Sequence, residues 1–230
     1  MFMKECKTIQ KVIFILAVIC VSITQSWADS WKEIFFADPT IFVENGKYYL
    51  TGTRNREPQG FAILESTDLK HWTVPNGKDL QLILRKGDQA FGEKGFWAPQ
   101  YFKDKRTYYF TYTANEQTVI ASSKSVFGPF RQKEVKPIDA SAKNIDSFLF
   151  KDDDGKYYLY HVRFNKGNYL WVAEFDIKKG SIKPETLKQC MDCTEAWEKT
   201  PNYKSAPVME GPTVMKWDGV YYLFYSANHF

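Results

Sequence analysis

Three acidic residues of this 230-residue chain stand just ahead of short apolar runs. Asp38 opens "DPTIF", Asp146 opens "DSFLF", and Glu210 precedes "GPTVM". One such acid on its own is most simply a turn former or a loop cap. Two carboxylates held close together push one pKa upward, so that one group stays protonated while the other accepts a proton. That division suits hydrolysis of a glycosidic bond, which needs a general acid and a second carboxylate as base or nucleophile.

The elements that must position these acids form a repeat. Each of four segments has a short apolar strand, a polar turn, and a Tyr-Tyr pair that opens a second strand. Three of the turns contain Asn-Gly or Asp-Gly, hairpin dipeptides that tolerate positive φ. The segments are "DPTIFVENGKYYLTGT" from Asp38, "APQYFKDKRTYYFTYT" from Ala98, "DSFLFKDDDGKYYLYH" from Asp146 and "GPTVMKWDGVYYLFYS" from Gly211. The sequence therefore predicts four β-hairpins.

The spacing of the hairpins predicts the fold class. Their first residues lie 60, 48 and 65 residues apart, which suits units of four strands, and further strands are predicted within 60–73, 118–130 and 169–177. Such repeats indicate an all-β fold of the β-propeller type. A β-sandwich is the alternative, but it does not require one hairpin pattern four times. The last unit stops on its second strand, so we expect a partial gene product with about three and a half blades, since open sheet edges are avoided.

A propeller would bring the three acids together, because equivalent positions of successive blades meet at the central channel. Asp38 and Asp146 occupy the same repeat position, and Glu210 lies one residue earlier in its own unit. The second unit has "FWAPQ" there, and Trp97 is a candidate platform for a sugar ring, with core packing as the alternative. Phe36 is a weaker candidate for substrate binding. Trp217 is expected to pack between blades.

The first 28 residues differ from the rest. Three lysines precede the apolar run "VIFILAVICVSI", and Ser26-Trp27-Ala28 supplies small residues for cleavage. We interpret 1–28 as a secretory signal peptide and 29–230 as a partial β-propeller catalytic domain, located outside the cell or in the periplasm. The alternative for this segment is an N-terminal anchor. The remaining chain carries a formal charge of +2 (+4 for the whole chain, less three Lys and plus one Glu), with no basic run to indicate nucleic acid.

These motifs together resemble glycoside hydrolase family 43. The resemblance is carried by "ADPTIF", "STDLKHW", "FWAPQYF", "SVFGPF", "IDSFLFKDDDGKYYL" and "EGPTVMKWDGVYYLFYS", from about Phe36 to the end. It implies a five-bladed propeller that cleaves α-L-arabinofuranosidic or β-D-xylosidic bonds of plant polysaccharides or oligosaccharides with inversion. By the resemblance, Asp38 is the general base, Glu210 is the general acid, and Asp146 tunes the pKa of the acid. The fifth blade of that family has no counterpart here, so we expect this chain alone to be incomplete as an enzyme.

Two other functions stay open at this point. The first is a retaining glycosidase of the sister families that act on fructans, which share the fold and a similar "DP" start. The second is a propeller that binds glycans without cleaving them, which would not need all three acids. No cofactor is required. Many family members hold a channel metal, such as calcium, through a histidine, but His229 is not assigned to that role. Cys190 and Cys193 are interpreted as a loop disulfide or as two structural thiols.

Overall fold

The computed structural model describes residues 34–75, 80–199 and 207–228. Strands account for 53% and helices for 4% of the structure, so the chain is all-β, as predicted. Two single 3-10 turns lie wholly within the described residues, Pro184–Thr186 and Ala196–Glu198. The strands are β1 Ala37–Glu44, β2 Lys47–Thr53, β3 Gly60–Ala62, β4 Leu64–Ser66, β5 Leu82–Arg85, β6 Trp97–Asp104, β7 Thr107–Ala114, β8 Gln117–Ser123, β9 Asn144–Lys151, β10 Tyr157–Phe164, β11 Asn168–Asp176, β12 Ser181–Ile182, β13 Lys188–Gln189, β14 Met209–Trp217 and β15 Val220–Ala227.

The strands form consecutive blades of a propeller, which confirms the predicted architecture. Blade 1 contains the sheets β1-β2-β4 and β3-β5, blade 2 is β6-β7-β8, blade 3 is β12-β11-β10-β9 with β13 added to β11, and blade 4 is the hairpin β14-β15. The four inner strands are neighbours in chain order, since β1 contacts β6, β6 contacts β9, and β9 contacts β14. The positions that repeat along the sequence are therefore neighbours in space.

The outer strands are less regular than the expected four per unit. In blade 1 the third strand is broken at Ile63, so that β4 pairs with β2 while β3 pairs with β5. The fourth strand of blade 2 is reduced to one bridge between Ser122 and Arg131. The inner hairpins keep one geometry, and they alone carry the acids.

Each inner hairpin contains the same β-bulge at the end away from its turn, which we call the mouth of the hairpin. In blade 1 the partner of β2 jumps from Thr40 to Ala37, so that Asp38 and Pro39 lie opposite Gly52 alone. The same shift occurs in the other three hairpins. The first bulge residue of every blade has a left-handed backbone, a conformation that Asp and Gly accept more readily than other residues. These residues are Asp38 (φ 47°), Ala98 (φ 43°), Asp146 (φ 51°) and Gly211 (φ 61°).

Apolar side chains fill the spaces between successive blades. Blades 1 and 2 enclose an aromatic cluster in which Phe110 lies 5.1 Å from Phe61 and 5.0 Å from both Tyr101 and Phe130, between ring centroids. A second cluster around Leu149 and Leu159 separates blades 2 and 3, and a third around Val162 and Met209 separates blades 3 and 4. Each blade is thereby held against the next, which fixes the relative positions of the hairpin mouths.

Two apolar faces have no neighbouring blade among the described residues. On blade 1, Ile41 and Val43 are exposed, and on blade 4, Tyr222 and Phe224 are exposed. The prediction that Trp217 packs between blades is wrong for the described part of the chain, since this side chain is 68% exposed on β14. These faces are the two ends of the row of blades.

Two other expectations concern the loop cysteines and the N-terminus. Cys190 and Cys193 are free thiols, so the structural-thiol interpretation holds and the disulfide does not.

The predicted signal peptide, 1–28, lies outside the described residues. Within the described ranges, no helix is long and apolar enough to cross a bilayer.

Candidate active site

The hairpin mouths of blades 1, 3 and 4 bring together the three acids singled out in the sequence. Asp38 and Asp146 are the left-handed bulge residues of β1 and β9, and Glu210 directly precedes the bulge of β14. Asp38 is exposed, whereas Asp146 and Glu210 are half-buried. The charges of Glu210 and Asp38 both act on Asp146, so the three carboxylates form one electrostatic group.

Asp146 is held from both neighbouring blades. Its backbone N–H donates to Thr113 Oγ1 of blade 2 at 3.0 Å, and its Oδ2 accepts the backbone N–H of Gly211 of blade 4 at 3.1 Å. Burial, then the negative charges of Glu210 and Asp38, raise the pKa of Asp146 to about 7, against a smaller lowering effect of the Gly211 hydrogen bond. Asp146 and Glu210 therefore hold one proton between them close to neutral pH.

Glu210 has its own positioning group, Asn168 at the start of β11. The Asn168 amide Nδ2 donates to Glu210 Oε1 at 2.5 Å, and the Asn168 backbone N–H donates to the carbonyl of Pro207 at 2.8 Å. Gly167 makes this approach possible, because a Cβ there would lie 2.9 Å from Pro207 Cδ and the backbone is left-handed (φ 143°). Burial raises the pKa of Glu210, the Asn168 hydrogen bond opposes that rise, and the charge of Asp38 adds to it.

Asp38 has a different environment, supplied by Thr53 at the end of β2. The Thr53 hydroxyl donates to Asp38 Oδ2 at 2.5 Å and accepts the backbone N–H of Ala98, in blade 2, at 2.9 Å. Asp38 is thus an exposed carboxylate held in place by a hydroxyl, which suits a group that accepts a proton from water.

The aromatic candidates occupy contrasting positions. Trp97 is the repeat equivalent of Glu210, is 36% exposed, and covers Gly95, where a Cβ would lie 3.0 Å from the indole ring. Phe36 packs against the cluster of Leu50, Leu64, Trp72 and Val74. Its neighbour Phe35, which the sequence reasoning did not select, is 64% exposed and has the Arg56 guanidinium 5.4 Å from its ring centroid.

The sequence reasoning also missed the residues that hold the acids. Thr53 was present as a signal, because aligning the second strands "YYLTGT", "YYFTYT", "YYLYHV" and "YYLFYS" places Thr53, Thr113, Val162 and Ser226 in one column. Asn168 has no counterpart in that alignment. Its role depends on the close approach of two loops, which the repeat pattern does not encode.

In the part of the chain that the structure describes, no metal site accompanies these acids. Among the described residues, no group of three or more His, Cys, Asp and Glu side chains is arranged to hold a metal ion, and His229 lies outside them. A cavity of about 420 Å³ lies at the outer edge of blades 2 and 3, lined by Tyr109, Arg131 and Lys179 among others. It contains none of the three acids and takes no part in the site.

The blades of this propeller bring three electrostatically coupled carboxylates together at one end of the inner hairpins. Glycoside hydrolases use such pairs of carboxylates to cleave glycosidic bonds. The comparison with protein families agrees, because residues 32–230 match the family model of Glycosyl hydrolases family 43. The chain belongs to this family.

Characterised relatives cover a range of activities. The chain is 28% identical over 204 residues to a xylosidase/arabinosidase of Butyrivibrio fibrisolvens, covering 84% of this chain and 37% of that protein. It is also 28% identical to the extracellular endo-α-(1→5)-L-arabinanase 1 of Bacillus subtilis, covering 83% of this chain and 59% of that protein. The chain therefore spans less than two thirds of the length of these relatives.

Solved structures give the same assignment of fold. A crystal structure described as an endo-1,4-β-xylanase of Bacteroides thetaiotaomicron superposes with a TM-score of 0.71 at 42% identity, covering 84% of this chain and 64% of that one. A thermostable family-43 glycoside hydrolase superposes with a TM-score of 0.72 at 29% identity, with the same two coverages.

Proposed function

We propose that the protein to which this chain belongs hydrolyses α-L-arabinofuranosidic or β-D-xylosidic bonds of plant polysaccharides or oligosaccharides, with inversion of configuration. The observation that carries the proposal is the electrostatic coupling of Asp38, Asp146 and Glu210 at one mouth, with the pKa of Asp146 raised to about 7 and that of Glu210 also raised. The named relatives act on xylosides or arabinosides, which supports the choice of sugar.

Each acid has one task in the proposed reaction. Asp38, exposed and hydrogen-bonded by Thr53, removes a proton from the water that attacks the anomeric carbon. As the bond to the leaving oxygen breaks, Glu210 gives that oxygen its proton, and both carboxyls return to their starting state by exchange with solvent. Asp146 shares one proton with Glu210, because the repulsion between the two carboxylates keeps a proton on the pair near neutral pH. Trp97 offers a flat apolar face to a sugar ring.

The anomer released first tests the stereochemical part of the proposal. With protein from the complete open reading frame and an aryl β-D-xyloside, proton NMR should show α-xylose before mutarotation. Early β-xylose would contradict inversion and indicate a retaining relative. A structure of the complete protein should place the Asp38 and Glu210 carboxyls roughly 6.5–9.5 Å apart, leaving room for water.

Replacement of Glu210 tests the assignment of the acid. Glu210→Gln should lower kcat by about 10²–10⁴-fold on xylo- or arabino-oligosaccharides, but much less on a p-nitrophenyl glycoside, whose leaving group hardly needs a proton. Glu185→Gln, at an exposed glutamate of the Pro184–Thr186 turn, is the matched control and should leave both rates unchanged. Unchanged turnover in Glu210→Gln would remove Glu210 from the role of general acid, whereas glycan binding without turnover in the unaltered protein would indicate a binding module instead.

We also propose that the protein is exported. The support is the sequence pattern of 1–28 and the extracellular location stated in the name of the B. subtilis arabinanase. N-terminal sequencing of the protein recovered from the periplasm or medium of an expressing bacterium should begin at residue 29. An unprocessed N-terminus in the membrane fraction would indicate an anchor.

A further inference from the structure

The backbone N–H of each bulge residue donates a hydrogen bond to the preceding blade. In two of the three described cases the acceptor is a threonine hydroxyl, and in the third it is not. In blades 1 and 2 the second inner strand has a threonine opposite the residue that precedes the bulge, and its hydroxyl accepts the N–H of the next blade's bulge residue. Thr53 accepts from Ala98 at 2.9 Å, and Thr113 accepts from Asp146 at 3.0 Å. In blade 3 the same position is Val162, which pairs with Ile145 as Thr113 pairs with Trp97.

Because Val162 has no hydroxyl, the next bulge N–H in the series needs another acceptor. That N–H belongs to Gly211, and its acceptor is Asp146 Oδ2 at 3.1 Å. Gly211 directly follows Glu210 in the chain. This third hydrogen bond therefore connects the carboxylate of one blade to the backbone beside the acid of the next.

We infer that Val162 is a positioning residue: by lacking a hydroxyl where other blades carry one, it directs the Gly211 N–H to the Asp146 carboxylate and so ties Asp146 to the backbone of Glu210. The inference rests on the proposed function for its catalytic consequence, but its structural part stands independently. Val162 is fully buried and contacts no acid of the site through a polar atom, so its effect acts through the hydrogen bond that it leaves to others.

The site shows why this connection matters for the proposed reaction. The Asp38 carboxylate accepts a hydrogen bond from the Thr53 hydroxyl, whereas the Asp146 carboxylate accepts one from the backbone N–H of Gly211. A backbone donor is fixed in space by its strand, so the Asp146 carboxylate and the Glu210 backbone move together. A general acid displaced by about 1 Å loses on the order of 10²-fold in rate, so this coupling has a measurable effect.

The direct test follows the Gly211 amide by NMR. In uniformly deuterated, ¹⁵N-glycine-labelled protein from the complete open reading frame, the Gly211 amide proton should shift with pH, because its acceptor titrates. The carboxyls that face Asp146 are Glu210 from β14 and Asp38 from β1, and the neighbouring His161 of β10 is a buried imidazole. Asp146→Asn should abolish the shift, which assigns the titrating acceptor.

Val162→Thr is the decisive variant. Thr is nearly isosteric with Val, and blades 1 and 2 show that the position holds a buried threonine. The introduced hydroxyl should accept the Gly211 N–H and abolish the pH-dependent shift, with kcat/KM lowered about 10- to 100-fold. If Val162→Thr fails to fold, Val162→Ser carries the same hydroxyl in a smaller side chain.

Val162→Ala is the control, because it removes volume without adding a hydroxyl, and it should keep the pH-dependent shift of Gly211. The inference is overturned if the hydroxyl variants keep that shift, or if Val162→Ala loses it as they do, since packing alone would then explain the effect. Absence of hydrolysis in the unaltered protein would refute the proposed function, and the NMR outcome would still decide the role of Val162.

Discussion

Blades 1 and 3 carry an aspartate at the same place in the same bulge, yet the two mouths differ. Asp38 is exposed and accepts a hydrogen bond from the Thr53 hydroxyl, whereas Asp146 is half-buried and accepts one from the backbone N–H of Gly211. The backbone is not the source of the difference, since the two residues have φ values of 47° and 51°. The source lies in the side chains opposite the bulge and in the blade that follows.

Two positions of the second strand distinguish the blades, when the residue before each Tyr-Tyr pair is counted as the first. At the sixth position blade 1 has Gly52, over which Phe36 packs, and blade 3 has the buried His161. At the seventh, blade 1 has Thr53 and blade 3 has Val162. A repeated backbone therefore supplies equivalent carboxylate positions, while the second strand and the next blade give each carboxylate a different hydrogen-bond donor.

The largest effect should come from removing the exposed member of the pair. Asp38→Asn keeps an acceptor for the Thr53 hydroxyl but removes the base, so kcat should fall about 10³–10⁴-fold. The loss should be equally large on p-nitrophenyl glycosides, because a good leaving group does not replace a base. Asp154→Asn, in the exposed β9–β10 turn, is the control for a lost aspartate charge. Retention of a tenth of the activity in Asp38→Asn would remove Asp38 from the role of base.

The next effect concerns stability and the sixth position. Burial, followed by the charge of Arg163, lowers the pKa of His161 to about 4, against 6.5 for an unperturbed histidine. The folded state therefore binds fewer protons than the unfolded state between these values. The stability that neutral His161 contributes is present above pH 6.5 and is lost as the pH falls toward 4. Over that window the loss amounts to roughly 3 kcal/mol.

Denaturant unfolding of the complete protein measures this loss as a difference. The free energy of unfolding of the unaltered protein, minus that of His161→Phe, should fall by roughly 3 kcal/mol from pH 7 to pH 4. Tyr112→Phe changes the same repeat position in blade 2, where nothing titrates in this range, and should show no such slope. Parallel pH curves for the unaltered protein and His161→Phe would mean that His161 is protonated in the folded state.

A smaller effect should follow from neutralising the enclosed aspartate. Asp146→Asn keeps an acceptor for the Gly211 N–H and removes only the charge. Because the repulsion between Asp146 and Glu210 is mutual, Glu210 loses its proton more easily once that charge is gone. The alkaline limb of kcat/KM should move to lower pH, so that the loss of activity is larger at pH 8 than at pH 6. An unmoved limb would show that Asp146 does not set the protonation of Glu210.

The sequence predicted the blades and the shared position of the two aspartates, but it did not predict the local backbone or the hydrogen-bond partners that make the aspartates differ. The Tyr-Tyr hairpins and their spacing predicted the blades, and the matched positions of Asp38 and Asp146 predicted one common mouth. The left-handed bulges were not foreseen, because they follow from a register shift that a strand pattern does not show. The partners of the acids were also missed, since Asn168 and Gly211 reach them from neighbouring blades.

The smallest effect, and the one that returns most directly to the comparison, is that of Thr53→Val, which gives blade 1 the side chain of blade 3. Asp38 then loses the hydrogen bond that holds its carboxylate in place, so kcat/KM should fall about tenfold. The Ala98 N–H, left without its hydroxyl acceptor, should turn to the Asp38 carboxylate, as the Gly211 N–H does to Asp146. Thr51→Val is the matched control, because the Thr51 hydroxyl is buried with no hydrogen-bond partner among the described residues. Equal values of kcat/KM for Thr53→Val and Thr51→Val would show that the residue at the seventh position does not distinguish the two aspartates.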